Sequence, residues 1–116
     1  MTNQLVNKHP AYHVHVYFDA QTLAQATVLC QQAGALFAVD VGKLHQKPVG
    51  PHPCWSCRLG FEASQFDRLI PWLAQNRDGL TVLIHGISGN DLADHTTHAM
   101  WLGEPVPLDL SKFDGA

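Results

Sequence analysis

From Ala11 to Phe18 apolar and polar positions alternate. Tyr12, Val14, Val16 and Phe18 fall on one side, and His13, His15 and Tyr17 on the other. Period-two alternation in β-branched and aromatic residues predicts a strand. Residues 20–34 change to helical spacing, with a stripe of Leu23, Ala26, Thr27 and Cys30. Asp19 is placed to cap the start of that helix and Gly34 to end it. Residues 36–41 (LFAVDV) predict a second strand. Residues 42–53, with three prolines and two glycines, predict a long loop. A third strand is expected over 54–61, with Trp55, Cys57, Leu59 and Phe61 facing one way and Ser56 and Arg58 the other. Ser64 and Asp67 have the spacing of a capping box opening a second helix over 64–77. Its stripe is Phe66, Leu69, Ile70 and Leu73, and Pro71 within it calls for a kink or a late start. Residues 80–85 (LTVLIH) predict a fourth strand, and the remainder is turn-rich with one short helical turn around 92–98. Residues 1–10 are polar and read as a flexible N-terminus, which leaves 11–116 as a single domain.

The order β-α-β-β-α-β is that of a ferredoxin-like α+β sandwich: one four-stranded antiparallel sheet, strand order 4-1-3-2, with helices on one face. The first strand is then central, and the second face of the sheet is open to a ligand or a partner. Strand parity sends Val14, Val16, Val82 and Ile84 towards the helices. It sends His13, His15, Tyr17, Ser56, Arg58 and His85 to the open side.

Composition sharpens this picture at one point. The chain has 116 residues, 46% hydrophobic and 15% charged, enough for one buried core. Its net charge of −3 argues against non-specific nucleic-acid binding. No apolar run approaches the ~20 residues of a membrane span. No signal-peptide pattern opens the chain, and three cysteines fit a reducing cytoplasm. The eight histidines are the anomaly, since they outnumber the seven lysines and arginines together.

Imidazole is the commonest metal ligand, and residues i and i+2 of a strand point the same way. His13 and His15 are therefore a candidate half-site, with His85 from the neighbouring strand completing a facial set that leaves positions open. The plainer reading makes them half-exposed polar positions on an open sheet. His52, rigid between prolines, is a candidate proton-transfer group or ligand, or a surface histidine. His45 carries less signal. His95 and His98 share a face if their segment is helical, and Asp91 and Asp94 are either ligands or helix-start residues. Cys54 and Cys57 spell C-x-x-C, but inside a strand they point to opposite faces, so a redox role is rejected. No nucleotide-binding or serine-hydrolase motif is present.

Three strings, YHVHVYFD, VGKLHQKPVGPHP and TVLIHGISGNDLADHTTHAMWLGEPVPLDLS, together resemble the small DOPA 4,5-dioxygenase family over residues 12 to 111. The resemblance implies a ferredoxin-like fold and a non-haem Fe(II) extradiol dioxygenase. Such an enzyme opens catechols such as L-DOPA with O₂ to a muconic semialdehyde. The family's histidines correspond to His13, His15, His52, His85, His95 and His98. The chain departs at Gly86, where proline is expected in many relatives. With no carboxylate expected on the open face, the metal set is taken as His13, His15 and His85. His52 is then the acid/base, with His98 as second choice. Arg58 is assigned to the substrate carboxylate, and Tyr17 to the ring or the dioxygen. Zinc or another divalent metal is expected to fill such a site readily in a crystal. A cytoplasmic homodimer is expected. The unrelated alternatives are a non-catalytic dimeric binding module that meets its partner through the open face, and a metal-dependent enzyme of other chemistry.

Overall fold

The computed structural model describes residues 5–113. Its elements are β1 (Ala11–Phe18), α1 (Leu23–Leu36), β2 (Asp40–His45), β3 (Trp55–Glu62), α2 (Ala63–Asn76), β4 (Val82–Gly86), α3 (Asp91–Asp94), β5 (Met100–Leu102) and a closing 3₁₀ turn, Leu110–Phe113. All neighbouring strands are antiparallel, in the order β2-β3-β1-β4-β5. The first four strands pair as the alternation implied, with β1 between β3 and β4.

The sheet has five strands, not the four expected. β5 pairs with β4 through Val82–Leu102, Leu83–Trp101 and Ile84–Met100. Three residues are too few for a period-two signal, so this strand exists only because β4 offers it an edge.

The core lies between the sheet and helices α1 and α2. Tyr12, Val14, Val16, Leu59, Val82 and Ile84 meet Ala26, Leu29, Ala33, Leu69 and Leu73 there. A buried Val or Leu side chain stabilises by roughly 1.5–3 kcal/mol, and these central positions are fully buried. Tyr12 adds polar anchoring. Its hydroxyl accepts from the backbone N–H of Lys8 (2.6 Å) and of His9 (2.9 Å) and donates to Asn7 Oδ1 (2.8 Å). Residues 7–9 are thereby tied to the central strand, whereas residues 1–4 of the segment read as flexible lie outside the described residues.

Several boundaries move for physical reasons. Helix α1 runs past Gly34 to Leu36, because its buried stripe Ala26, Leu29, Cys30 and Ala33 continues and Phe37 packs on Trp72. Gly34 serves contact rather than termination: a Cβ there would lie 2.7 Å from Val41 Cγ2. Strand β2 consequently begins at Asp40 and takes in Gly42–His45, which had read as loop. Asp19 Oδ1 accepts from the N–H of Gln21 and of Thr22 ahead of α1 rather than capping it. The capping box does not form. Glu62 is the N-cap of α2, no side chain caps it, and the helix runs through Pro71, whose ring faces solvent.

The second face of the sheet is not open. Tyr17, Leu83 and Ala99 form a small apolar cluster on it, covered by Cys54, Trp101, Val106 and Leu108. Helix α3 also belongs to this side, since the His95 ring at its C-cap packs against His85, tilted to it, at 4.2 Å between ring centroids. The expectation of helices on one face only is corrected accordingly. Among the described residues, no helix is long and apolar enough to cross a membrane.

Candidate active site

Strand β1 delivers His13 and His15 to the same face, and the β1–β4 register sets His13 opposite His85. Two further imidazoles arrive from loops. His52 follows a tight turn in which its N–H donates to the Val49 carbonyl (3.0 Å). Gly50 makes that turn at φ +56°, a conformation that disfavours other residues. The Asp109 N–H straps the same loop by donating to the Pro51 carbonyl (2.9 Å). His95 caps α3, whose start is held by Asn90 Oδ1 accepting from the Ala93 N–H. Buried Asp94 anchors this corner by accepting from the Ser88 hydroxyl (2.6 Å) and N–H (3.0 Å). Burial raises its pKa, and the Ser88 bonds outweigh that to leave it below the ordinary value.

Five imidazoles therefore converge. Their donor nitrogens form two overlapping groups, His13–His15–His85 and His15–His52–His95, each within 4.8 Å. His15, 7% exposed, belongs to both. Its Nε2 lies 3.1 Å from His85 Nε2. His85 Nδ1 faces the Gly86 carbonyl (2.9 Å) and donates to it, so the His85 Nε2 carries a lone pair and His15 supplies the proton between them. His95 Nδ1 donates to the Asp91 carbonyl (2.7 Å), and His52 Nδ1 meets the Tyr17 hydroxyl (2.7 Å). One ring nitrogen held by oxygen and the other aimed inward is the arrangement of metal-binding imidazoles. A divalent cation fits in place of the shared proton.

The electrostatics agree. Burial first, then His95 and His85, hold His52 down to about 4. Burial likewise lowers His85 to about 4 against the opposing Gly86 carbonyl. His15 is held well below the imidazole range by burial and then by His52 and His85. Burial and Arg58 lower His13. At neutral pH these rings are uncharged, as ligation requires.

Beside the cluster lies a cavity of about 390 Å³, walled by His15 and His52 together with Lys43, His45, Ser56 and Arg58. The structure thus brings together His13, His15, His52 and His85, and puts Arg58 on the cavity wall. Tyr17 is buried behind His52 and does not line the cavity; burial raises its pKa and keeps the hydroxyl protonated. His98 stands apart. It is exposed, 3.7 Å from Asp94 Oδ1 on the outer side, and packs on His9. His95 takes the place expected of it, and a side chain three residues away on a short turn offered no signal to choose between the two. Asp91 gives only its carbonyl, and Cys54 and Cys57 sit on opposite faces of the sheet. At Gly86 the His9 ring occupies the space a Cβ would need, so a side chain there would require His9 to shift.

The comparisons with known proteins meet this geometry. A model of the Dopa 4,5-dioxygenase family matches residues 12–112. A DOPA 4,5-dioxygenase of Amanita muscaria is 29% identical over 110 residues, covering 87% of this chain and 48% of that protein. An uncharacterized 21.2 kDa protein of Botryotinia fuckeliana is 34% identical over 113 residues, covering 87% of this chain and 62% of that protein. The chain therefore spans about half to three fifths of these relatives' length. A crystal structure from Nostoc punctiforme, provisionally described as that of a dioxygenase, superposes with a TM-score of 0.88 at 35% identity over 96% of both chains. By sequence and by structure alike, the chain belongs to the Dopa 4,5-dioxygenase family.

Proposed function

We propose that the protein is a non-haem Fe(II) extradiol dioxygenase that opens L-DOPA or a related catechol to a muconic semialdehyde. The β1–α1–β2–β3–α2–β4 unit is read as a ferredoxin-like core with an added strand. One observation carries the functional reading: five imidazoles converge beside a cavity large enough for a single aromatic ring, and two of them, His15 and His52, line it. His13, His15 and His85 would hold the ion, and none of the residues lining that cavity is a carboxylate. Iron bound there supplies the Lewis-acid and redox chemistry that lets dioxygen react with an aromatic diol.

The chain's own residues do the rest. In the tautomer whose Nδ1–H donates to Tyr17, His52 presents the Nε2 lone pair to the cavity and accepts a proton from a substrate hydroxyl. Later it returns that proton as an acid. Tyr17 fixes the ring of His52 and is a positioning residue. The Val49–His52 turn, strapped by Asp109, holds the base at the cavity wall. Arg58 takes the substrate carboxylate.

Anaerobic loading with Fe(II), followed by L-DOPA and O₂, is expected to give stoichiometric oxygen uptake and a yellow product. No uptake with any simple catechol would sink the proposal. Tyr17→Phe is expected to lower kcat about 10- to 100-fold, with KM changed less than about twofold. The acid limb of its pH profile should move to lower pH, because protonated His52 loses an acceptor. An unchanged profile would show that Tyr17 does not act through His52.

A further inference from the structure

The cavity wall carries a feature that ring-opening chemistry does not require. Strand β2 pairs with β3 out of step: Val41 is opposite Leu59, and Leu44 is opposite Cys57. Two residues, Gly42 and Lys43, therefore face the single residue Arg58, which defines a β-bulge. In a regular strand, positions three apart point to opposite faces. Here Val41 approaches α1 and Leu44 packs on the core, so both face the helices. The bulge thus leaves both Gly42 and Lys43 on the cavity side, where both line the wall beside Arg58. Gly42 permits the close approach, since a Cβ there would stand 3.0 Å from the Arg58 carbonyl oxygen.

The charges placed there are one-sided. Lys43 and Arg58 line the cavity together with His45, and no acidic residue does. Among the described residues neither Lys43 nor Arg58 has an ion-pair partner. This occurs in a chain whose net charge is −3. Two unneutralised cations, Lys43 and Arg58, thus share the lining with the imidazoles of His15 and His52, and Arg58 stands directly across the β1–β3 register from His15. A ligand matching that lining has an aromatic or chelating head and an anionic tail.

We propose that Lys43, re-aimed by the bulge, joins Arg58 in a carboxylate-binding pair that selects aromatic diols with an anionic side chain. The diol half of this statement rests on the function proposed above, whereas the anion-binding half stands on the cavity alone. Arg offers a planar fork for the carboxylate, and Lys adds a mobile point charge. A catechol bearing only an ammonium tail meets two like charges and no acid.

The test begins with metal-free protein and direct binding, by calorimetry or amide chemical shifts. The probes are 3-(3,4-dihydroxyphenyl)propionate, its methyl ester, and 3-phenylpropionate, which lacks the diol. The free acids are expected to bind at least about tenfold more tightly than the ester, as charge-assisted hydrogen bonding implies. Lys43→Met should weaken the acids about fivefold and leave the ester unchanged, and Lys43→Arg should restore most of the loss. Equal affinity for acid and ester, or an acid affinity indifferent to Lys43→Met, overturns the pair. The Fe(II)-loaded enzyme separates this from the ring-opening proposal. Selective acid binding without oxygen uptake leaves the anion site standing and removes the dioxygenase reading. Uptake that is indifferent to the tail does the reverse. With both correct, Lys43→Met raises KM for the catechol acid, leaves kcat nearly unchanged, and narrows the preference over the corresponding phenethylamine.

Discussion

His15→Ala is expected to abolish divalent-metal binding, lowering affinity by more than about a hundredfold, the upper range seen when only an outer partner of a ligand is removed. The reason is geometric. His15 is the one residue common to both groups of converging imidazoles. Removing His13 leaves His15, His52 and His95 within reach of an ion, and removing His52 leaves His13, His15 and His85. Removing His15 breaks both. It also deletes the nitrogen 3.1 Å from His85 Nε2, at the middle of the sheet where no other side chain can substitute. Titration with Zn²⁺, and with Fe(II) under anaerobic conditions, measures the effect, with circular dichroism confirming the fold. His98→Ala serves as the control and should retain full metal affinity, because that ring lies outside both groups. His13→Ala against His52→Ala then decides which group holds the ion. Unchanged binding in His15→Ala would move the metal elsewhere.

The second large effect is acid sensitivity of the metal-free protein. His52 and His85 are held at about 4 in the folded state against 6.5 for a free imidazole. The unfolded chain therefore binds more protons than the native one between those values, and stability must fall as the pH is lowered through them. Above 6.5 both states are neutral and nothing is lost. Displacement from 6.5 to about 4 corresponds to about 3 kcal/mol for each ring at the acid end. That is a large share of the roughly 5–15 kcal/mol that holds a domain together. Urea unfolding followed from pH 7.5 to 4 in the presence of a chelator should show stability dropping mainly between 6.5 and 4. Saturating Zn²⁺ should push the acid midpoint to lower pH, since the ion competes with protons for the same nitrogens. A stability flat down to pH 4.5 would mean that the imidazoles remain hydrated and the site is not formed as described.

What was legible in the chain itself follows from short-range geometry. Alternation over residues 11–18 determined that His13, His15 and Tyr17 share a face, because strand parity is a local property. The same parity put Arg58 and His85 on that face, and the helical stripes of α1 and α2 determined which side became the core. The long shared strings determined the family. Everything undecided depended on residues distant in the chain. Whether His95 or His98 meets the cluster turned on how Asp94, Ser88 and Asn90 fold the corner after β4. The role of Tyr17 changed because the His52 loop comes to rest on its hydroxyl. The face expected to be bare is covered because β5 finds the edge of β4 and carries Trp101, Val106 and Leu108 over Tyr17 and Leu83. Lys43 could not be placed at all, since a bulge is a mismatch between two strands and neither strand shows it alone. The sequence determined the donors and their face; only tertiary pairing decided which of them meet and which charges face them.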